Sequence, residues 1–380
     1  MNPLDNYRLI DLTDEKGALC SKLLSDMGAE VIRIEKPGQK VPRVYASAGK
    51  RNITLDIGSK KAQDLFKRII KNADILVESF QPGYLTSLGL GHIELEQINP
   101  RLIMASITNF GQFGPYRDFK SSDLVAAALG GQLSVSGDPD KPPLKPYGPQ
   151  AFNTASLFAA NGILLALWQR HTSGKGQYLD ISVHESVAAT LDHVLVRYFY
   201  TGEVASRQGS LYWNNAFRIF KCKDGYILLS FLHQWDTLVE LLASEGMAED
   251  LLDEKWTDDA ERRKHIDHII TIMEKWTLTH EVDELVELGQ LLRFPWAKVA
   301  SIPEVINNPQ LNDRGFFIDA IDPDSGKTFK FPGAPFKMSE SPLKINPPVP
   351  FAGEYNLDFY RHQLGLTEAE IAILIREKVI

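Results

Sequence analysis

The stretch Tyr7–Glu35, YRLIDLTDEKGALCSKLLSDMGAEVIRIE, decides how the first part of the chain reads. YRLIDL is a short apolar run of strand type. Leu19, Leu23, Leu24 and Met27 then recur at helical spacing, which predicts a helix over about Ala18–Met27. Gly28 is placed to end it, because helices commonly stop on a left-handed residue, a conformation glycine takes without steric cost. AEVIRIE returns to a β-rich run, and KPGQK (36–40) is a turn.

The pattern repeats outward. NITLDI (52–57) is a strand, and the helix over Lys60–Lys71 carries Ala62, Leu65, Phe66 and Ile69 on one face. ADILVES (73–79), RLIMASI (101–107) and QYLDISV (177–183) are further strands. Strands alternating with helices predict a parallel sheet in an open, Rossmann-like α/β domain. Gln150–Arg170, QAFNTASLFAANGILLALWQR, reads as one long helix whose Leu157, Phe158 and Trp168 are expected in the core. A helix is expected over about His184–Tyr200. The Pro-rich stretch between Gly137 and Gly148 reads as a surface loop.

Thr201–Ser210 is small and polar, and reads as a linker. FRIFKCKDGYILLSF (217–231) reads as a β-hairpin around Lys223-Asp224-Gly225, followed by three mainly helical segments to about Gln290. The Pro-rich 329–353 must be mostly extended. TEAE at 367–370 is a capping box for the last helix. The expected division is a large α/β domain from 1–205 with 330–380, and a smaller α+β domain over 206–329.

The chain has 380 residues and a formal net charge of -8, which gives no electrostatic reason to bind nucleic acid or an anionic membrane. The two cysteines, Cys20 and Cys222, form neither a disulfide framework nor a zinc ligand set. The start lacks the design of a signal peptide, and no apolar run reads as long enough to span a bilayer, so a cytoplasmic location is expected. No P-loop is present, and LGLGH (88–92) follows a helix rather than a strand, unlike a dinucleotide fingerprint. His184-Glu185 lacks the second His of a zinc protease, and no serine sits in a nucleophile elbow. Lys50-Arg51, just before a strand, admits two readings: phosphate contacts, or solvated charges.

The order of segments is more specific. RLIDLT, LLSDMGAEVIRIEKPG, KRNITLDI, ADILVESFQPGYLTSLGLG and NPRLIMASITNFGQFGPY, then SVSGDPDKPP, GILLALWQRHTSGKGQYLDISVHES, EVINNPQLNDRGFF, PGAPFKMSESP and LGLTEAEIAIL, resemble the family III (CaiB/BaiF) CoA-transferases in family order. The resemblance covers nearly the whole chain. It implies an interlocked dimer and transfer of CoA from an acyl-CoA, such as succinyl-CoA, to a carboxylic acid. It implies a CoA thioester as substrate and no covalently bound cofactor or metal. In the family an Asp carboxylate attacks the thioester, which is covalent catalysis.

That Asp falls on Phe152 here, which places an apolar ring in the expected reaction pocket. The family's E-N-F reads Glu78-Ser79-Phe80, and the Arg before L-G reads Ser87. The closing glycine loop is replaced by Trp213-Asn214-Asn215-Ala216, and Asp14-Glu15-Lys16-Gly17 is charged where small or apolar residues are usual. Lys36, Lys50, Arg51, Phe80, Leu88 and Lys120 match CoA-side positions, and Asp123 matches a supporting acid. The pattern resembles the Asp-lacking subunit of the benzylsuccinate CoA-transferases. It implies a homologous partner that carries the Asp. Two other readings stay open: a self-sufficient acyl-CoA racemase or isomerase, and a non-enzymatic acyl-CoA-binding homodimer. The racemases use a His and an Asp, where this chain has Ser122 and Phe152.

Overall fold

The computed structural model describes residues 2–39, 45–212, 217–232, 234–321, 325–343, 345 and 350–380. The chain falls into two compact units: 1–133 with 145–204 and 309–380, and 134–144 with 205–308.

The first unit is built on β1 (Arg8–Leu12), α1 (Ala18–Asp26), β2 (Glu30–Glu35), β3 (Arg51–Thr54), α2 (Lys60–Ile70), β4 (Ile75–Glu78), α3 (Tyr84–Ser87), α4 (His92–Ile98), β5 (Ile103–Thr108), α5 (Asp123–Leu129), α6 (Gln150–Ser173), β6 (Tyr178–Ser182), α7 (Val183–Ala189) and α8 (Asp192–Thr201). Six strands form one sheet in the order β3-β2-β1-β4-β5-β6, with parallel neighbours throughout. This is the doubly wound order of the dinucleotide folds, reached here without their glycine fingerprint.

Strand periodicity divides the core. Leu9, Val31, Ile75, Val77, Ile103 and Ala105 share one cluster with Cys20 and Leu24 of α1 and Ala155, Ala159 and Ile163 of α6. Their neighbours Ile10, Ile32, Leu76 and Met104 belong to the opposite cluster, with Phe66, Ile69 and Ile70 of α2. Both faces are covered, which is why these strands are nearly continuous apolar runs.

The same unit takes in the end of the chain. The Tyr360 hydroxyl donates to the Thr54 carbonyl at 2.6 Å, and Asn356 Nδ2 donates to Thr54 Oγ1 at 2.7 Å. The Asp56 N–H donates to the Val379 carbonyl at 2.8 Å.

The second unit holds β7 (Leu211–Tyr212), β8 (Phe217–Lys221), β9 (Tyr226–Ser230), α9 (Trp235–Ser244), α10 (Asp259–Lys264), α11 (Ile266–Thr277), α12 (Val282–Leu291), β10 (Ala297–Lys298) and α13 (Ile302–Ile306). Its sheet runs antiparallel in the order β10-β9-β8-β7. Phe220, Phe231, Trp276, Phe294 and Trp296 fill its core. The chain then adds α14 (Pro309–Asp313), the hairpin β11 (Phe317–Ile321) and β12 (Thr328–Pro332), α15 (Asn356–Asp358) and α16 (Glu368–Arg376) to the first unit. A domain boundary between 329 and 330 would cut through this hairpin.

Three expectations need correction. The helix expected over His184–Tyr200 is two helices, α7 and α8. Thr190 sits at the break, where its hydroxyl bonds back to the Val187 carbonyl at 2.7 Å instead of supporting a straight helix. Leu157, Phe158 and Trp168 are exposed. The helix turns its small face, Ala155, Ala159 and Ala166, to the sheet, which allows close approach and leaves the large side chains outside. Finally, α6 is long and apolar enough to cross a bilayer, but half of that window is buried within the fold.

Candidate functional site

Where strand order reverses, β1 and β4 lie side by side and the connections leave in opposite directions. Ligands of open α/β sheets bind in such a crevice, at the carboxyl ends of the strands. A cavity of about 910 Å³ opens here. Its wall follows the strand ends: Asp14 and Glu15 after β1, Glu35 and Lys36 at β2, Asp56 after β3, and Ser79, Phe80 and Tyr84 after β4. Pro149 and Asn153 complete it from the start of α6.

Beneath the wall lies a buried charge cluster. Asp11, at the end of β1, accepts from Lys50 Nζ at 2.8 Å, Ser21 Oγ at 2.7 Å and Arg33 Nη1 at 3.3 Å. Its other oxygen accepts from the Thr13 N–H at 2.9 Å and the Thr13 hydroxyl at 2.7 Å, which bends the chain toward the cavity. Burial alone would raise the Asp11 pKa, but the charges of Lys50 and Arg33 outweigh it and hold the carboxyl far below its ordinary range. Lys50 also donates to the Ala18 carbonyl at 3.0 Å and Ser21 Oγ at 2.8 Å. With Asp11, these three acceptors use all three ammonium protons. Lys50 is thus an internal strut with no donor left for a phosphate.

The loop Thr13–Gly17 is fixed from both sides. The Ser79 hydroxyl and Asp14 bond reciprocally, and Lys16 pairs with the Asp14 carboxylate. The Lys16 carbonyl accepts from Ser156 Oγ of α6 at 2.9 Å. Gly17 must be glycine: a Cβ there would meet Thr13 Cγ2 at 2.7 Å and Ile107 Cδ1 at 2.9 Å.

Of the other residues singled out in the sequence, Lys36 and Phe80 line the cavity. Lys36 is well exposed, with its ammonium 3.5 Å from Asp56. Arg51 lies at the start of β3, pairs with Glu30 at 2.9 Å and is outside the lining. Leu88 packs on the core behind α3, and Lys120 is exposed on a loop. Ser87 bonds back to the Tyr84 carbonyl at 2.7 Å. Trp213-Asn214-Asn215-Ala216 lie outside the described residues.

Phe152 is only 3% exposed and belongs to the core cluster with Ile107, Val183 and Val187. Phe152 lies outside the lining of the cavity, which the neighbouring Asn153 joins instead. The first turn of α6 contains no acid. Asp123 approaches it from α5. Its Oδ1 accepts the Phe152 backbone N–H at 3.1 Å, and its Oδ2 lies 2.8 Å from Lys145 Nζ. Asp123 thereby satisfies one of the free N–H groups at a helix start, where the helix dipole favours negative charge.

Sequence reasoning passed over Glu78 and the Asp14–Ser79 pair as interacting groups. The signal was present: both members of the pair depart from the usual family residues, and an acid and a hydroxyl complement one another. Glu78, 5% exposed, is pushed up to about 7 by burial, only partly offset by the Ser106 hydroxyl and the Phe80 N–H. Among the described residues, no group of three or more His, Cys, Asp or Glu side chains is placed to hold a metal.

A doubly wound sheet with a cavity at its reversal point defines a nucleotide-type binding fold. The family model of CoA-transferase family III matches residues 4–356, and the chain belongs to that family. It is 31% identical to succinyl-CoA--D-citramalate CoA-transferase of Chloroflexus aurantiacus, over 100% of this chain and 98% of the relative. It is 31% identical to the succinyl-CoA:(R)-benzylsuccinate CoA-transferase subunit BbsE of Thauera aromatica, over 97% and 96%. A CAIB/BAIF family protein from Brucella suis superposes with a TM-score of 0.86 at 26% identity, covering 96% of this chain and 100% of that one. Membership implies a CoA thioester as substrate.

Proposed function

We propose that this chain is the subunit without the nucleophile in a heteromeric CoA-transferase, paired with a homologue that carries the Asp. The observation that carries the reading is Phe152. The position that matches the family Asp bears a buried apolar ring, and no acid replaces it in the first turn of α6. An amide at the cavity-lining Asn153 is no carboxylate nucleophile. The likeness to BbsE, a subunit by its name, supports the reading. The complex moves CoA from an acyl-CoA such as succinyl-CoA to an aromatic or branched dicarboxylic acid, in the cytoplasm. This chain contributes a CoA-side cavity, with Lys36 facing phosphate and Phe80 forming an apolar wall.

Native mass spectrometry of the protein purified from its own host tests this. The expected result is a complex with a same-family chain that bears the Asp. A homo-oligomer alone would overturn the pairing and favour acyl-CoA binding or chemistry without that Asp.

A further inference from the structure

Glu78 is a buried carboxyl with no ion-pair partner within reach among the described residues. It closes β4 and sits directly behind the cavity wall. Its Oε2 accepts the Phe80 backbone N–H at 2.7 Å. Phe80 and Tyr84 both line the cavity, with ring centroids 4.9 Å apart. The Glu78 side chain thus holds the backbone from which Phe80 projects against Tyr84.

We infer that Glu78 is a positioning residue for the cavity: its ionised form holds the Phe80–Tyr84 wall more firmly than its protonated form, so ligand capture there depends on pH. The inference rests on the proposed CoA-binding role of this cavity. A hydrogen bond to a carboxylate is roughly twice as strong as one to a neutral acceptor. The groups around Glu78 leave it free to change state. Asp14 and Lys16 act on it from the loop after β1 with opposite signs. Ser106 of β5 interacts with it, and the charges of Glu78 and Asp180 both act on Tyr178 of β6. The His92 ring of α4 packs on Tyr178 at 5.1 Å. Burial places the titration of Glu78 near neutrality, inside a range that an enzyme experiences.

The test follows the Phe80 amide by NMR between pH 5.5 and about 8.5 in the full chain, and measures binding of free coenzyme A by calorimetry over the same range. The expected result is an amide shift titrating near neutrality in the native protein and absent in Glu78→Gln, whose side-chain oxygen can still accept the bond. Affinity for coenzyme A should rise about fivefold more with pH in the native protein than in the variant, the effect of about 1 kcal/mol. An amide that does not titrate, or that titrates equally in Glu78→Gln, overturns the inference. If the amide titrates as expected but coenzyme A does not bind at any pH, the positioning role stands and the CoA-binding role of the cavity fails.

Discussion

The Ser79 hydroxyl accepts the Asp14 backbone N–H at 2.7 Å and donates back to the Asp14 carboxylate at 2.8 Å. Two residues 65 positions apart thus hold the ends of β1 and β4 together at the mouth of the cavity. Ser79→Ala should destabilise the protein by about 1.5 kcal/mol, the partly exposed setting placing it at the low end of the range for bonds to charged groups. A urea-unfolding cycle with Asp14→Ala should give a coupling energy of at least about 0.5 kcal/mol. Additive single effects would show that the two residues act independently.

Lys50 and Lys36 should separate cleanly. Lys50→Ala leaves the fully buried Asp11 without its main counter-charge, and should cost about 3–5 kcal/mol of stability. Lys36→Ala should leave the melting temperature almost unchanged, because its pair with Asp56 is solvent-screened. It should instead weaken binding of coenzyme A about tenfold, the size expected for one phosphate contact. Thermal melts and calorimetry on both variants read the difference.

At position 152 the surroundings favour a hydrophobe. Phe152→Leu should cost little, about 1.5 kcal/mol or less. Phe152→Asp should cost about 3–5 kcal/mol, because it removes a buried ring and places a carboxyl among Ile107, Val183 and Val187. Restoring the family residue alone is therefore expected to yield an unstable protein rather than an active one. Transfer activity with native-like stability in Phe152→Asp would contradict this.

Glu78 also has a signature in global stability. Its carboxyl, ordinarily at 4.5, is raised to about 7 in the folded state, so the folded protein binds more protons than the unfolded chain between these values. Its contribution is neutral below about pH 4.5. It then destabilises progressively as pH rises, reaching about 3 kcal/mol above pH 7. Glu78→Gln should match the native protein near pH 4.5 and exceed its stability at pH 8, as measured by urea unfolding at each pH.

The sheet was legible because both its faces are buried: Leu9 and Ile10, or Leu76 and Val77, give apolar runs that fit little else. The long helix at 150–170 was legible too, but not its orientation. Its apolar residues go all round, so the pattern could not reveal that Ala155 and Ala159 face the sheet while Trp168 faces out. Spacing also could not say whether Lys50 serves a ligand or the fold. That depends on Asp11, 39 positions earlier in the chain, whose placement only the parallel register decides. The paired departures at Asp14 and Ser79 were visible one by one, and became a single feature once β1 and β4 were neighbours.

The bonds from Asn356, Tyr360 and Val379 to the β3 segment bear on how the protein is made. Asn356 and Thr54 are separated by 302 residues, and everything between them must be synthesised before they meet. On a ribosome, the segment holding Thr54 emerges early and waits for its partners, while the second unit can collapse from local contacts. The first unit should therefore close last, as a slow step governed by long-range loop closure. Until then the β3 edge stays open to mispairing.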